Sequence, residues 1–206
     1  MKKLYALSGL MVLGLTAYAQ QPAIKLSATQ LSTIRSAVLK PVAVSLWTVS
    51  EDFTATFDTL PAKFDEFSKE VRSQKLDAQM AGAPSSSVMI LREDPTGKSE
   101  FKVSVGMQVT KKLDVKAPLK IEQVEQSHAI RYAHTGSFQS LSAVHTGIRE
   151  TLVKNPIKLS LKTAVTTATP ATTLNNTSWP VVVRLLNDPR KVAPAAIRTE
   201  MIVPTS

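Results

Sequence analysis

Few residues in this chain have the type and spacing to do chemistry, and the histidines come first. His128, His134 and His145 are its three imidazoles, the side chain that moves protons or holds metals near neutral pH. The gap of 11 residues between His134 and His145 is not a short-range zinc spacing, and no cysteine is present to complete a ligand set. No metal site is assigned. The sequence also shows no nucleophile elbow, no Gly-rich phosphate loop and no HExxH helix. Serines are plentiful, but triads assemble in space and sequence spacing alone assigns none, so no catalytic residue is named. Recognition chemistry remains. Trp47, Tyr132 and Trp179 combine broad apolar faces with a polar edge, which suits ligand contact and core packing equally well. Glu200, between Thr199 and Met201, is expected to face either a cleft or solvent.

These residues must be positioned by a repeated unit. Ser127 to Leu152 reads as a strand, a Gly-containing turn and a helix, and an earlier copy lies at a constant offset of 77 residues. Phe53, Ala55, Phe57, Phe64, Phe67 and Val71 match Ile130, Tyr132, His134, Leu141, Val144 and Ile148. Only His134, opposite Phe57, breaks the apolar match. Such a register predicts two copies of one supersecondary unit sharing a core.

Taken in order, residues 20–41 form a lead-in, either a short helix capped near Ser27 and Thr29 or an extended segment. Alternation at Val42, Val44, Leu46, Phe53, Ala55 and Phe57 predicts a bent strand with one buried face. Asp58-Thr59 before Pro61 opens a helix that buries Phe64, Phe67 and Val71. A hairpin follows, from Ser87–Arg92 to Phe101–Val109, turning at Asp94-Pro95-Thr96-Gly97. Residues 42–110 make the first unit, Lys111–Lys120 the connector, and residues 121–204 the second unit. Within the second unit, Ile157, Leu159 and Leu161 alternate like an extra short strand. Thr163–Ser178, with seven threonines, is expected to be an exposed loop. A second hairpin, Val181–Leu186 to Ile197–Val203, turns at Asn187-Asp188-Pro189 and mirrors the first.

Composition bounds location and partners. The first 19 residues carry Lys2 and Lys3, an apolar run from Leu4 to Leu15, and Ala17-Tyr18-Ala19 ahead of Gln20. That is the layout of a secretory signal peptide and is short for a membrane span, so a periplasmic or secreted protein is expected, with no membrane association after cleavage. Removing Lys2 and Lys3 lowers the formal charge from +9 to +7. The basic residues are scattered, with few aromatics beside them, so no nucleic-acid partner is expected.

The run VEQSHAIRYAHTGSFQSL (Val124 to Leu141), with LLNDP (Leu185 to Pro189) and RTEMIVP (Arg198 to Pro204), resembles the GyrI-like effector-binding domain, also found fused to AraC-type regulators. The resemblance covers residues 42–204 in layout. It implies an α+β fold of duplicated β-α-β-β units, with a concave antiparallel sheet and helices packed on its opposite side. It also implies a small organic ligand, often a cation, held in the cleft between the halves and balanced by a buried Glu of the penultimate strand.

At that position this chain has Val183, and at the first-half equivalent Met89. Neither balances a charge, and an unpaired buried cation costs several kcal/mol. A neutral or apolar ligand is therefore expected, contacted by Trp47, Tyr132, His134, Phe138, Trp179, Val183 and Glu200, with no cofactor. At the family's His-x-Gly-x-aromatic corner, Gly136 is expected to serve turn geometry and His134 to satisfy local backbone groups. The alternatives are a small hydrolase of the same fold, needing Glu200, Glu125 or Tyr132, and a haem-binding protein of the SOUL type. A third is a structural protein whose cleft is filled by its own side chains.

Overall fold

The computed structural model describes residues 25–80, 87–159, 172–174 and 176–206. The signal-peptide reading of residues 1–19 and most of the threonine-rich stretch lie outside them.

The lead-in is a helix, α1 (Ala28–Val38). Ser27 caps it reciprocally: its hydroxyl accepts from the Gln30 amide, and the Gln30 side chain accepts from the Ser27 amide. Next come β1 (Val42–Ala55) and α2 (Leu60–Ser73), with Pro61 in the first turn where its missing N–H is not needed. The short helix α3 (Asp77–Met80) precedes the hairpin of β2 (Ser87–Leu91) and β3 (Phe101–Val109). The second unit is built from β4 (Lys120–Thr135), α4 (Ser140–Lys154), β5 (Ile157–Leu159), β6 (Thr172–Leu174), β7 (Val181–Leu185) and β8 (Arg198–Pro204).

The six long strands pair antiparallel in the order β1-β3-β2-β7-β8-β4. Exchanging β1 with β4, β2 with β7 and β3 with β8 leaves that order unchanged, as duplicated strand-helix-strand-strand units require. The helices obey the same exchange. Phe64, Phe67 and Val71 on α2, and Leu141, Val144 and Ile148 on α4, are all at most 5% exposed. The fold is α+β and consistent with a GyrI-like architecture. The sheet expected to be concave curls further: Val42–Ser50 of β1 pair with Lys120–Ala129 of β4, closing the ring. A register shift between Val42 and Val44 marks a bulge, which bends long strands and increases their twist.

Alternation splits the strands between two faces. Met89, Leu91, Val105, Val183, Met201, Ile130 and Tyr132 join the helices in the larger core. Leu46, Ile90, Val124, Ala129, Val182 and Ile202 form a smaller cluster on the other face. Beside it, polar side chains from four strands or strand ends meet. Arg92 donates from Nε to Ser104 Oγ at 2.7 Å and pairs with Glu122, Ser104 bonds Asp52, and Lys120 Nζ reaches Asp52 at 2.7 Å. Burial pushes the Asp52 carboxyl up, but the hydrogen bonds from Lys120 and Ser104 outweigh it and hold it below its usual range. This network bolts the β1–β4 closure.

Two details depart from the sequence reading. The purpose of α1 was not legible. Its Ile34 and Val38 are fully buried, and a Cβ at Gly147 of α4 would lie 2.7 Å from Leu26 and 3.2 Å from Ile34. Gly147 is thus where the lead-in meets the second helix. The end of the stretch expected as an exposed loop is tied down: β6 pairs with β5, and Thr177 bridges Thr205 near the C-terminus.

Candidate functional site

The strand-to-helix corner places His134 and Phe138 in the core, 5% and 3% exposed. His134 Nε2 lies 2.6 Å from Ser140 Oγ, a distance that suits a nucleophile and its base. The proton count decides otherwise. Ser140 Oγ also lies 2.5 Å from the Ser137 carbonyl, which can only accept. The single hydroxyl proton goes there, so His134 Nε2 donates and has no lone pair left to take it. Burial lowers the His134 pKa, keeping the ring neutral. The unit is a lock on the corner. A Cβ at Gly136 would lie 2.8 Å from His134 Nε2 and 3.0 Å from Ser140 Oγ, so glycine is required because the lock occupies that space.

The centre of the seam between the halves is filled. Met89 faces Val183 across β2 and β7, Val183 faces Met201, and all three have 0% exposure. Tyr132 faces Met201 and is 3% exposed, its phenol pKa raised by burial. Its ring stacks on His134 at 6.4 Å. The structure therefore groups Tyr132, His134 and Phe138 with Val183 in one core. Trp47 is half-buried on β1 and packs against the same core. Trp179 packs against it near α4, its ring 4.6 Å from that of His145.

Glu200 lies on the sheet face away from Val183. There Arg131 and Arg184 hold it at 2.6 and 2.9 Å. Glu125 is exposed and accepts from Gln123 Nε2 at 2.6 Å. Both carboxylates the hydrolase alternative would use are thus outside the seam centre. Among the described residues, no group of three metal-binding side chains converges, and no helix is long and apolar enough to cross a membrane.

Open space lies at the edge of the seam instead. A shallow recess enclosing about 30 Å³ sits between α2 and the β7–β8 turn of the other half. Phe64, Phe67 and Met107 give it an apolar wall, Ser68 and Ser87 add hydroxyls, and Asp188, Pro189 and Arg190 form its rim. Arg190 spans the halves, bonding Asp188 at 2.8 and 2.9 Å and Asp65 of α2 at 2.8 Å. Those bonds raise the Arg190 pKa, and the Arg190 bonds hold Asp188 below its usual range. With Lys191 Nζ 3.9 Å from Asp188, two carboxylates face two cations and the rim carries no net charge.

None of the seven residues expected at the ligand lines this recess. Its lining was assigned by the sequence to helix core (Phe64, Phe67), strand (Met107) and turn (Asp188, Pro189). The available signal was the mirrored Asp-Pro turns, which point each hairpin at the opposite helix.

No protein-family model and no curated protein sequence matches the chain. Solved structures match its fold. The C-terminal domain of EcmrR superposes with a TM-score of 0.57 at 12% identity, covering 81% of this chain and 96% of that one. A hydrolase from Listeria innocua superposes at 0.51 and 12% identity, covering 82% and 92%. An uncharacterized conserved protein from Listeria innocua superposes at 0.50 and 13% identity, covering 82% and 93%. At these identities the likeness is one of fold.

Proposed function

We propose that the protein is an exported small-molecule-binding domain that holds a neutral or apolar ligand at the edge of the seam between its halves. The observation carrying this reading is the recess itself, with an apolar wall and a rim whose charges cancel. The space it encloses is only about 30 Å³, so a ligand inserts a small group there and leaves the rest of itself at the open mouth. Affinity comes from apolar area removed from water, at roughly 25 cal/mol per Å² before binding costs. An unpaired cation gains nothing there, because Asp188 and Asp65 already have partners.

Native mass spectrometry of protein purified from its source tests this. The expected spectrum shows a retained neutral molecule that is lost from a Ser87→Trp variant, on a polypeptide beginning at Gln20. Bare polypeptide throughout would overturn the binding reading, and an N-terminus at Met1 would overturn cleavage. A second reading, a scaffold filled by its own side chains, is favoured by the closed seam centre at Met89, Val183 and Met201.

A further inference from the structure

We infer that the exposed side of α1, together with the C-terminal turn of α4, docks the protein onto the surface of an anionic phospholipid bilayer. This goes beyond ligand binding and uses a different part of the molecule. The basic residues are scattered along the sequence, but the fold sets several of them beside exposed apolar side chains. Leu31, Arg35 and Leu39 are spaced four apart, which puts them in one row along α1. Leu39 is 68% exposed and Leu31 38%, whereas Ile34 and Val38 of the same helix are fully buried. Leu31 Cδ2 lies 3.9 Å from where a Cβ on Gly147 would be, so the row starts at the contact with α4. The last turn of α4 adds Val153, 62% exposed, and Lys154. Three of the four exposed large apolar side chains among the described residues are therefore on these two packed helices.

The charges around the row share one sign. No Asp or Glu precedes Glu51, so Lys25, Arg35 and Lys40 have no acid on their own segment. Among the described residues, none of the ion pairs involves these three or Lys154, and the stretches outside them contain no Asp or Glu. Helix α2, the counterpart of α4 in the first half, is the contrast. It carries three acids and three bases, pairs Lys63 with Glu66, and exposes no large apolar side chain. The hydroxyls on the exposed side of α1 suit an interface as well: Thr33 and Ser36 donate back to the Thr29 and Ser32 carbonyls at 3.0 and 3.3 Å, so their protons need no water. Leucines flanked by unpaired cations match the boundary of a bilayer, where apolar side chains reach the acyl chains and Lys and Arg meet lipid phosphates. A nucleic acid would offer phosphates but nothing apolar to the leucines. A second copy docked through the same face would set Arg35 and Lys40 against like charges. No described helix is long and apolar enough to cross a membrane, so the contact is one of surface docking.

Co-sedimentation with vesicles of equal parts phosphatidylcholine and phosphatidylglycerol tests this on the mature protein beginning at Gln20, so that the apolar run Leu4–Leu15 contributes nothing. Binding is expected at low salt, at least about tenfold weaker on phosphatidylcholine alone because each cation near an anionic surface is worth about fivefold. Arg35→Glu and Leu39→Ser should each weaken it by about fivefold or more, the first through charge and the second through apolar area. Both positions are exposed, and an unchanged circular dichroism spectrum shows that the variants fold. Lys69→Glu, the same charge change on the exposed side of α2, should weaken binding less than about twofold. No binding to the mixed vesicles would overturn the proposal, as would a loss in Lys69→Glu equal to that in Arg35→Glu. Binding unchanged in Leu39→Ser would also overturn it, since the leucines would then be idle. Tighter binding to a DNA duplex than to vesicles would assign the face to nucleic acid instead, and a concentration-dependent dimer abolished by Leu39→Ser would assign it to a second copy. Each of these results leaves ligand binding at the recess untouched.

Discussion

Replacing Gly136 with Ala tests the corner lock on which the second unit turns. The added Cβ would sit 2.8 Å from His134 Nε2, 3.1 Å from His134 Cε1 and 3.0 Å from Ser140 Oγ. None of these atoms is free to retreat. His134 is 5% exposed with its ring stacked on Tyr132, and Ser140 is held by the Ser137 carbonyl. The backbone φ of +157° at Gly136 adds strain for any L side chain. Overpacking costs about 1–3 kcal/mol, and a buried imidazole N–H left without its acceptor costs about 1–3 kcal/mol. The sum is about 2–6 kcal/mol. In a chain of this size each kcal/mol lowers Tm by about 2–4 °C, so a drop of roughly 4–24 °C is expected in thermal unfolding followed by circular dichroism. A Ser140→Ala variant removes the acceptor without the clash and should lose about 1–3 kcal/mol. If Gly136→Ala costs less than about 1 kcal/mol, the corner is not locked and the account of His134 fails.

Three other perturbations probe separate parts of the structure. His134 and His145 are both kept neutral by burial, so below about pH 6.5 the unfolded chain binds protons that the folded chain refuses. Stability measured by urea should be fully present above that pH and fall as pH drops below it, by up to about 1.4 kcal/mol per pH unit for each histidine. The slope should flatten in a His134→Gln, His145→Gln double variant; an unchanged slope would contradict the assignment. Arg92→Ala strips Glu122 and Ser104 of a partner at the β1–β4 closure. A loss of about 1–3 kcal/mol is expected in chemical denaturation, less than for a fully buried pair because both side chains are about a quarter exposed. Ile34→Ala should cost about 2–5 kcal/mol, because Ile34 is fully buried where α1 meets α4. A cost under 1 kcal/mol there would mean that α1 does not dock.

How far the sequence could be read follows from what leaves a periodic trace. Phe64, Phe67 and Val71 at helical spacing, and their partners 77 residues later, showed the duplicated unit because burial selects apolar residues at fixed intervals. Both Asp-Pro turns were legible from the fixed φ of proline. Ring closure was not, because pairing Val42–Ser50 with Lys120–Ala129 is a long-range choice that no local pattern encodes. The site was legible least. Side-chain chemistry alone singles out Tyr132, His134 and Glu200. Two of those are spent on core packing and a third on ion pairs with Arg131 and Arg184. The recess arises from what is small, Ser68 and Ser87 between larger neighbours. An absence of side-chain volume has meaning only once the helix and the opposite turn are placed.

Methyl NMR on protein labelled at methionine during titration with a compact neutral probe, cyclohexanol, addresses the central claim most directly. Met107 lines the recess, whereas Met89 and Met201 stand at the filled centre of the seam with 0% exposure. Saturable shifts at the Met107 methyl, with Met89 and Met201 unmoved, are the predicted result. Shifts led by Met89 and Met201, or no shift at any of the three, would contradict binding at the edge of the seam.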